Sequence, residues 1–169
     1  MEGDEMKKDN RGISLVEIII VIAIMTVVGG AMFYGVGMIS GKPAQKCAQK
    51  IVFSLDRHRT TAMGKMDSSY TLRVDGDQIV LDEYIKSSAT ESSNTTVPVG
   101  SSAVAVKYTC GGVEKDLASE SLKLVFERGS GAFQKQTDGT YCTEIKVSKA
   151  GTEYIIDLVP LTGKVSIRK

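Results

Sequence analysis

The segment from Ile18 to Ile39 constrains this chain more than any other: 22 residues, apolar apart from small or weakly polar interruptions, with one acid, Glu17, immediately before it. At about 1.5 Å of rise per residue, such a run is long enough to cross the roughly 30 Å hydrocarbon core of a bilayer. A carboxylate carried into that core costs about 2.5–3.5 kcal/mol, less near the interface, so an acid here needs a cationic partner. No Lys or Arg lies within the run to supply one.

A partner arises if the chain is cut after Gly12, because the new α-ammonium of Ile13 would meet Glu17 of a neighbouring copy. The residues around that point are Lys7-Lys-Asp-Asn-Arg-Gly12 followed by Ile13-Ser-Leu-Val-Glu17. This arrangement resembles the type IV prepilin signature: a short charged leader ending in Gly, a cut before an apolar residue, and Glu at the fifth position after the cut. The resemblance implies a membrane prepilin peptidase that removes residues 1–12 and methylates the new N-terminus, and then assembly into a filament through packing of the N-terminal helices. Two positions depart from the family pattern, Ile13 where Phe is usual and Gly29-Gly30 where many members carry a helix Pro. The first of these bears on methylation more than on cleavage.

Two simpler roles for an apolar N-terminal run fit less well. A secretory signal has an apolar core of about 7–15 residues and a small-residue cleavage site after it, whereas this run is longer and has no convincing site downstream. A plain single-pass anchor leaves the spacing of Gly12 and Glu17 as coincidence. Lys7, Lys8 and Arg11 precede the span, so the positive-inside rule places the leader in the cytoplasm and the remainder outside. The expected course is an inner-membrane single-pass precursor that becomes part of a cell-surface filament.

Residues 13–41 thus read as a transmembrane and assembly helix, and residues 42–169 as one head domain with an amphipathic helix and a β-rich part, a size compatible with a modest core. The leader holds four acids and three bases, so the chain from Ile13 carries 18 bases and 16 acids, a net charge of +2. That balance argues against a nucleic-acid-binding face. Three scattered cysteines, Cys47, Cys110 and Cys142, do not form a metal-binding pattern, and neither metal nor cofactor is expected. Outside the cell a disulfide is permitted, Cys110 with Cys142 being a candidate pair, and three free buried thiols are the open alternative.

Small residues recur through the apolar segment: Gly29, Gly30, Ala31 and Gly35, then Gly37 and Gly41. Spacings of four let helices pack closely in a membrane. The same glycines weaken a helix by about 1 kcal/mol each. Packing and flexibility are both consistent with the pattern. Pro43 then predicts a kink or restart, and Ala44, Ala48, Ile51, Leu55, His58, Ala62 and Met66 recur at helical spacing, predicting an amphipathic helix with one buried face. His58, the only histidine, reads as a packing residue on that stripe.

Beyond Met66 the period changes to alternation. Tyr70–Val74 and Gln78–Ile85 flank Asp75-Gly76-Asp77, a hairpin signal. Ser87–Ser102, rich in Ser, Thr and Asn, reads as a loop. Strands are expected at Val104–Thr109, Leu122–Glu127, Tyr141–Ser148, Glu153–Val159 and Val165–Arg168, forming a β-meander. The whole is α+β and pilin-like: a long membrane-spanning N-terminal helix continuing into an amphipathic helix packed on an antiparallel sheet. The helix leading into the Tyr70 hairpin, the Leu124–Glu127 strand followed by Gly129-Ser-Gly-Ala-Phe133, and the closing Leu161-Thr-Gly-Lys-Val165 resemble minor pilins and pseudopilins of the type II secretion H-component and competence branches.

No zinc-peptidase helix, nucleophile elbow or phosphate loop is present in the sequence, and no enzyme is expected. Asn94-Thr95-Thr96 fits a glycosylation acceptor in form only, and Val159-Pro-Leu-Thr-Gly163 reads as a strand end and turn rather than a wall-sorting signal. The implied partners are prepilin peptidase, other pilin subunits, the membrane, and an assembly platform protein with its ATPase, serving secretion, DNA uptake, adhesion or motility. A membrane-tethered binding or adhesion domain that never polymerises is the alternative.

Overall fold

The structure, a computed structural model, describes residues 15–40, with side chains through Val27, together with 42–86 and 92–169. Its described residues fall into two compact units, divided between Ile39 and Ser40. The helix α1 (Leu15–Ser40), nearly all of it in the first, is a single helix of 26 residues. It passes through Gly29 and Gly30 without a break. Every described side chain from Leu15 to Val27 is exposed, Ile18, Ile20, Ile22 and Ile24 among them. Within the described residues, whose side chains on α1 end at Val27, no helix is long and apolar enough to cross a membrane.

In the second unit, α2 (Lys42–Met63) opens with Pro43 in its first turn, where a missing N–H leaves no helical hydrogen bond unmade. Its inward stripe, Ala44, Cys47, Ala48, Ile51, Leu55, His58 and Ala62, is fully buried. Gly100 lets a strand lie against this stripe, since a Cβ there would sit 2.8 Å from Cys47 Sγ. The helix ends at Met63, short of the expected Met66, with Lys65 in the left-handed region at φ 63°. The Lys65 N–H donates to Ala62 O and the Met66 N–H to Thr61 O, the paired closure of a Schellman cap.

Among the described residues nine strands make two antiparallel sheets. They are β1 (Asp67–Asp75), β2 (Gln78–Lys86), β3 (Ser92–Ser101), β4 (Ala105–Cys110), β5 (Val113–Asp116), β6 (Leu122–Phe126), β7 (Cys142–Lys149), β8 (Thr152–Val159) and β9 (Lys164–Arg168). One sheet runs β3-β2-β1-β6 and the other β5-β4-β7-β8-β9. Helix α2 packs on strands of both, so the core lies beneath its inward stripe. Tyr70, Leu72, Leu81, Leu122, Leu124, Ile145 and Ile156 fill it, each contributing about 1.5–3 kcal/mol of burial if fully removed from water.

The β1–β2 hairpin closes Asp75 on Gln78 across Gly76-Asp77, and Gly76 takes a φ of 56°, a value that suits glycine in a tight hairpin turn. Two expectations need correction. The segment 92–101, expected to be loop, is strand β3, paired with β2 through Leu81↔Val97 and Asp82↔Thr96. The β-branched residues Thr95, Thr96, Val97 and Val99 favour the extended chain despite the polar composition. Pro98 is tolerated because β3 is an edge strand. Positions 87–91 of that expected loop lie outside the described residues.

The second correction concerns the meander. Strands β7, β8 and β9 do follow one another as neighbours, but β6 leaves them and pairs with β1, Leu124 opposite Tyr70. Strand β7 then returns beside β4, and the short β5, Val113–Asp116, forms a hairpin with β4. Alternation along a strand reports an inward face but carries no information about which neighbour the strand chooses.

Candidate functional site

At the N-terminal end, Gly12 and Ile13 lie outside the described residues. Glu17 stands in the first turn of α1, where a carboxylate is favoured by the unpaired N–H groups and the positive end of the helix dipole. It is solvent-exposed, as are the apolar neighbours on either side of it, Val16 and Ile18 at 61% and 48%. Gly29, Gly30, Ala31, Gly35 and Gly37 all fall on the α1 backbone, whereas Gly41 lies outside the described residues. The geometry is therefore one acid at the head of a helix whose described flank is otherwise apolar on all sides. Such a surface stays exposed only until another apolar body covers it.

The head holds a second concentration of chemistry-bearing residues, behind α2. His58 is fully buried, with its ring edge-on to Tyr70 at 5.9 Å and stacked on Phe126 at 6.3 Å between centroids. Its Nδ1 is hydrogen-bonded to Ser68 Oγ, and its Nε2 lies 3.5 Å from Glu83 Oε1. Glu83 is itself buried at 3% exposure. Ser54 Oγ donates to Glu83 Oε1 at 3.0 Å, and Arg57 reaches Glu83 Oε2 at 3.0 Å from the half-exposed side.

Burial is the largest influence on His58 and lowers its pKa below the ordinary 6.5, against the opposing pull of Glu83. Serine, histidine and glutamate thus stand in the order of a hydrolytic triad. The arrangement has no route to a substrate, because Ser68 is 3% exposed and His58 not at all; a nucleophile sealed under a helix attacks nothing. Ser68 and Ser54 satisfy part of the cluster and Arg57 compensates the carboxylate, whereas His58 Nε2 has no hydrogen-bond partner among the described residues. The Tyr70 hydroxyl is buried beside it without a hydrogen-bond partner among the described residues.

The sequence located His58 but not its companions. The signal was present: Ser68, Tyr70 and Leu72 share one face of β1, and Ile79, Leu81 and Glu83 alternate along β2, so two polar residues occupy inward positions. Among the described residues no group of three or more His, Cys, Asp or Glu side chains is placed to hold a metal ion.

The three cysteines separate into two kinds. Cys110 and Cys142 sit opposite one another in the β4–β7 ladder and are joined by a disulfide across a sequence separation of 32. Cys47 is a buried thiol whose pKa is pushed up to about 11 by burial, which keeps it protonated and unreactive.

Residues 7–33 fit the family model described as the prokaryotic N-terminal methylation motif. No curated protein and no solved structure matches the chain.

Proposed function

From the type IV prepilin-like signature that this chain carries at residues 7–33, a pilin-like precursor and a structural subunit rather than an enzyme, we propose that it is processed after Gly12 and polymerises through its N-terminal helix. In this reading α1 crosses the membrane in the precursor, with the head outside. Prepilin peptidase frees and methylates the Ile13 amine, and an assembly platform and its ATPase extract the subunit into a pilus or pseudopilus. The β-rich head fits a minor-pilin or pseudopilin role of the kind found in type II secretion or competence systems.

The observation that carries the proposal is Glu17 in the first turn of a helix whose described side chains, Leu15 to Val27, are all exposed. An apolar helix is covered equally by lipid or by sister helices, so burial alone does not decide between them. The acid does. Placed among apolar chains it costs about 2.5–3.5 kcal/mol unless a cation meets it, and the freed amine of an adjacent subunit provides one. Close packing at Gly29, Gly30, Ala31 and the Gly35, Gly37 and Gly41 positions brings those helices within reach of each other.

The test is Glu17→Ala expressed beside a prepilin peptidase and the assembly machinery. The variant is expected to be cut normally and to fall at least tenfold in sheared filaments. Incorporation at the wild-type level overturns the pairing role of Glu17.

A further inference from the structure

The positive charge of the chain is unevenly placed. Helix α2 carries five bases and one acid, whereas residues 64–169 hold 13 bases and 14 acids. On the side of α2 turned away from the core, Lys46, Lys50, Phe53 and Arg57 lie at spacings of three and four, within one arc of the helix. Phe53 is 71% exposed, although burying such a ring is worth about 1.5–3 kcal/mol. These residues form one wall of a groove of about 380 Å³ whose other wall is Val97 and Val99 of β3.

Charge and edge geometry together narrow what this groove accepts. Its lining has three cations and a single carboxylate, Glu83. That carboxylate is already held by Arg57 and Ser54, so among the described residues Lys46 and Lys50 have no acidic partner on the rim. An added β-strand is disfavoured at the bordering edge, since Pro98 offers no N–H and its carbonyl accepts from Lys50 Nζ at 3.1 Å. The occupant must therefore bind through an apolar body against Phe53, Val97 and Val99 with an anionic group between the two lysines. A volume of this size falls in the range of small-molecule sites, which pair an apolar lining with a few placed polar groups.

We infer that the α2–β3 groove binds an organic anion with an apolar body, an aryl or acyl carboxylate. The groove is lined by residues of the second unit alone, so either proposal can fail without the other. The probe is 2-naphthoate, titrated calorimetrically into the full chain held in phosphatidylcholine nanodiscs, with empty discs as the blank. Saturable binding is expected, weakened at least tenfold by Phe53→Ser, at least tenfold by the Lys46→Glu/Lys50→Glu pair, and unchanged by Lys149→Glu on the other sheet. The neutral 2-naphthamide should bind at least tenfold more weakly than the anion. Absence of saturable binding above the blank overturns the inference, as does equal affinity in the groove variants or for the amide. Lys46, Lys50 and Phe53 are exposed and Lys149 is half-buried, and an unchanged unfolding midpoint verifies that the variants fold.

Discussion

Helix α1 turns its described apolar side chains outward in every direction, whereas α2 hides Ile51, Leu55 and Ala62 at zero exposure and leaves its bases in water. Both are long, at 26 and 22 residues, and both are rich in apolar or small residues at helical spacing. The difference lies in the width of the apolar surface. A stripe is satisfied by a sheet of the same chain; a full cylinder needs lipid or other helices. One helix therefore holds the head together, and the described turns of the other leave their apolar side chains uncovered.

The largest effect that sharpens this contrast lies in the head. Gly163 has a φ of 63°, and a Cβ there would stand 1.7 Å from Gly131 O. Gly163→Ala is expected to lower head stability by more than about 4 kcal/mol, combining backbone strain with a clash that only a turn displacement relieves. Gly139→Ala, equally left-handed at φ 81° but with open space around it, should cost about 1–2 kcal/mol. Urea unfolding followed by circular dichroism separates them, and equal midpoints would show that the two turns do not pack as described.

The direct comparison of the helices comes next. Leu55→Ala should destabilise the head by about 2–5 kcal/mol. Ile20→Ala should change head unfolding by less than about 0.5 kcal/mol. If Ile20→Ala lowers the head's unfolding midpoint as much as Leu55→Ala does, Ile20 is not the exposed side chain described.

A smaller effect concerns the cluster behind α2. His58 is faced by Glu83 of β2, Ser68 and Tyr70 of β1, and Ser54 and Arg57 of its own helix. Its folded pKa is depressed below 6.5 by burial, so the unfolded chain takes up the proton more readily than the folded one. Stability is then fullest above about 6.5 and falls as the pH drops through and below that value. Unfolding midpoints measured between pH 7.5 and pH 5.5 should decline. A flat or rising profile would mean that Glu83 charges the imidazole in the folded state.

The smallest effect is a gain. Lys65 carries the left-handed φ of the α2 cap, the position where glycine is usual, while Gly64 stands one residue too early. Lys65→Gly should stabilise the head by about 0.5–1 kcal/mol, read as a raised midpoint in the same urea series. A lowered midpoint would show that the Lys65 side chain makes contacts that outweigh the backbone strain.

How much of this was legible in the sequence depended on the range of the forces involved. The Tyr70 hairpin was readable because its turn residues dictate its geometry locally. The buried stripe of α2 was readable because 3.6-residue periodicity is written in the residues themselves. Strand β3 was not, since Ser92–Asn94 look like loop and only pairing with β2 makes them strand. The crossing of β6 to β1 was hidden for the same reason: the choice of neighbour is a property of the whole sheet. At the cluster, His58 stood out as the only histidine, but Ser68 and Glu83 come from two different strands and meet it only in three dimensions.

The central claim is that an amine freed at Ile13 meets Glu17 of the next subunit, and the most direct measurement is the intact mass and N-terminal sequence of the chain expressed with and without a prepilin peptidase. The expected result with the peptidase is a chain of 157 residues beginning at Ile13, and without it a chain still carrying Met1–Gly12. A chain that retains its first twelve residues in both cases contradicts that claim.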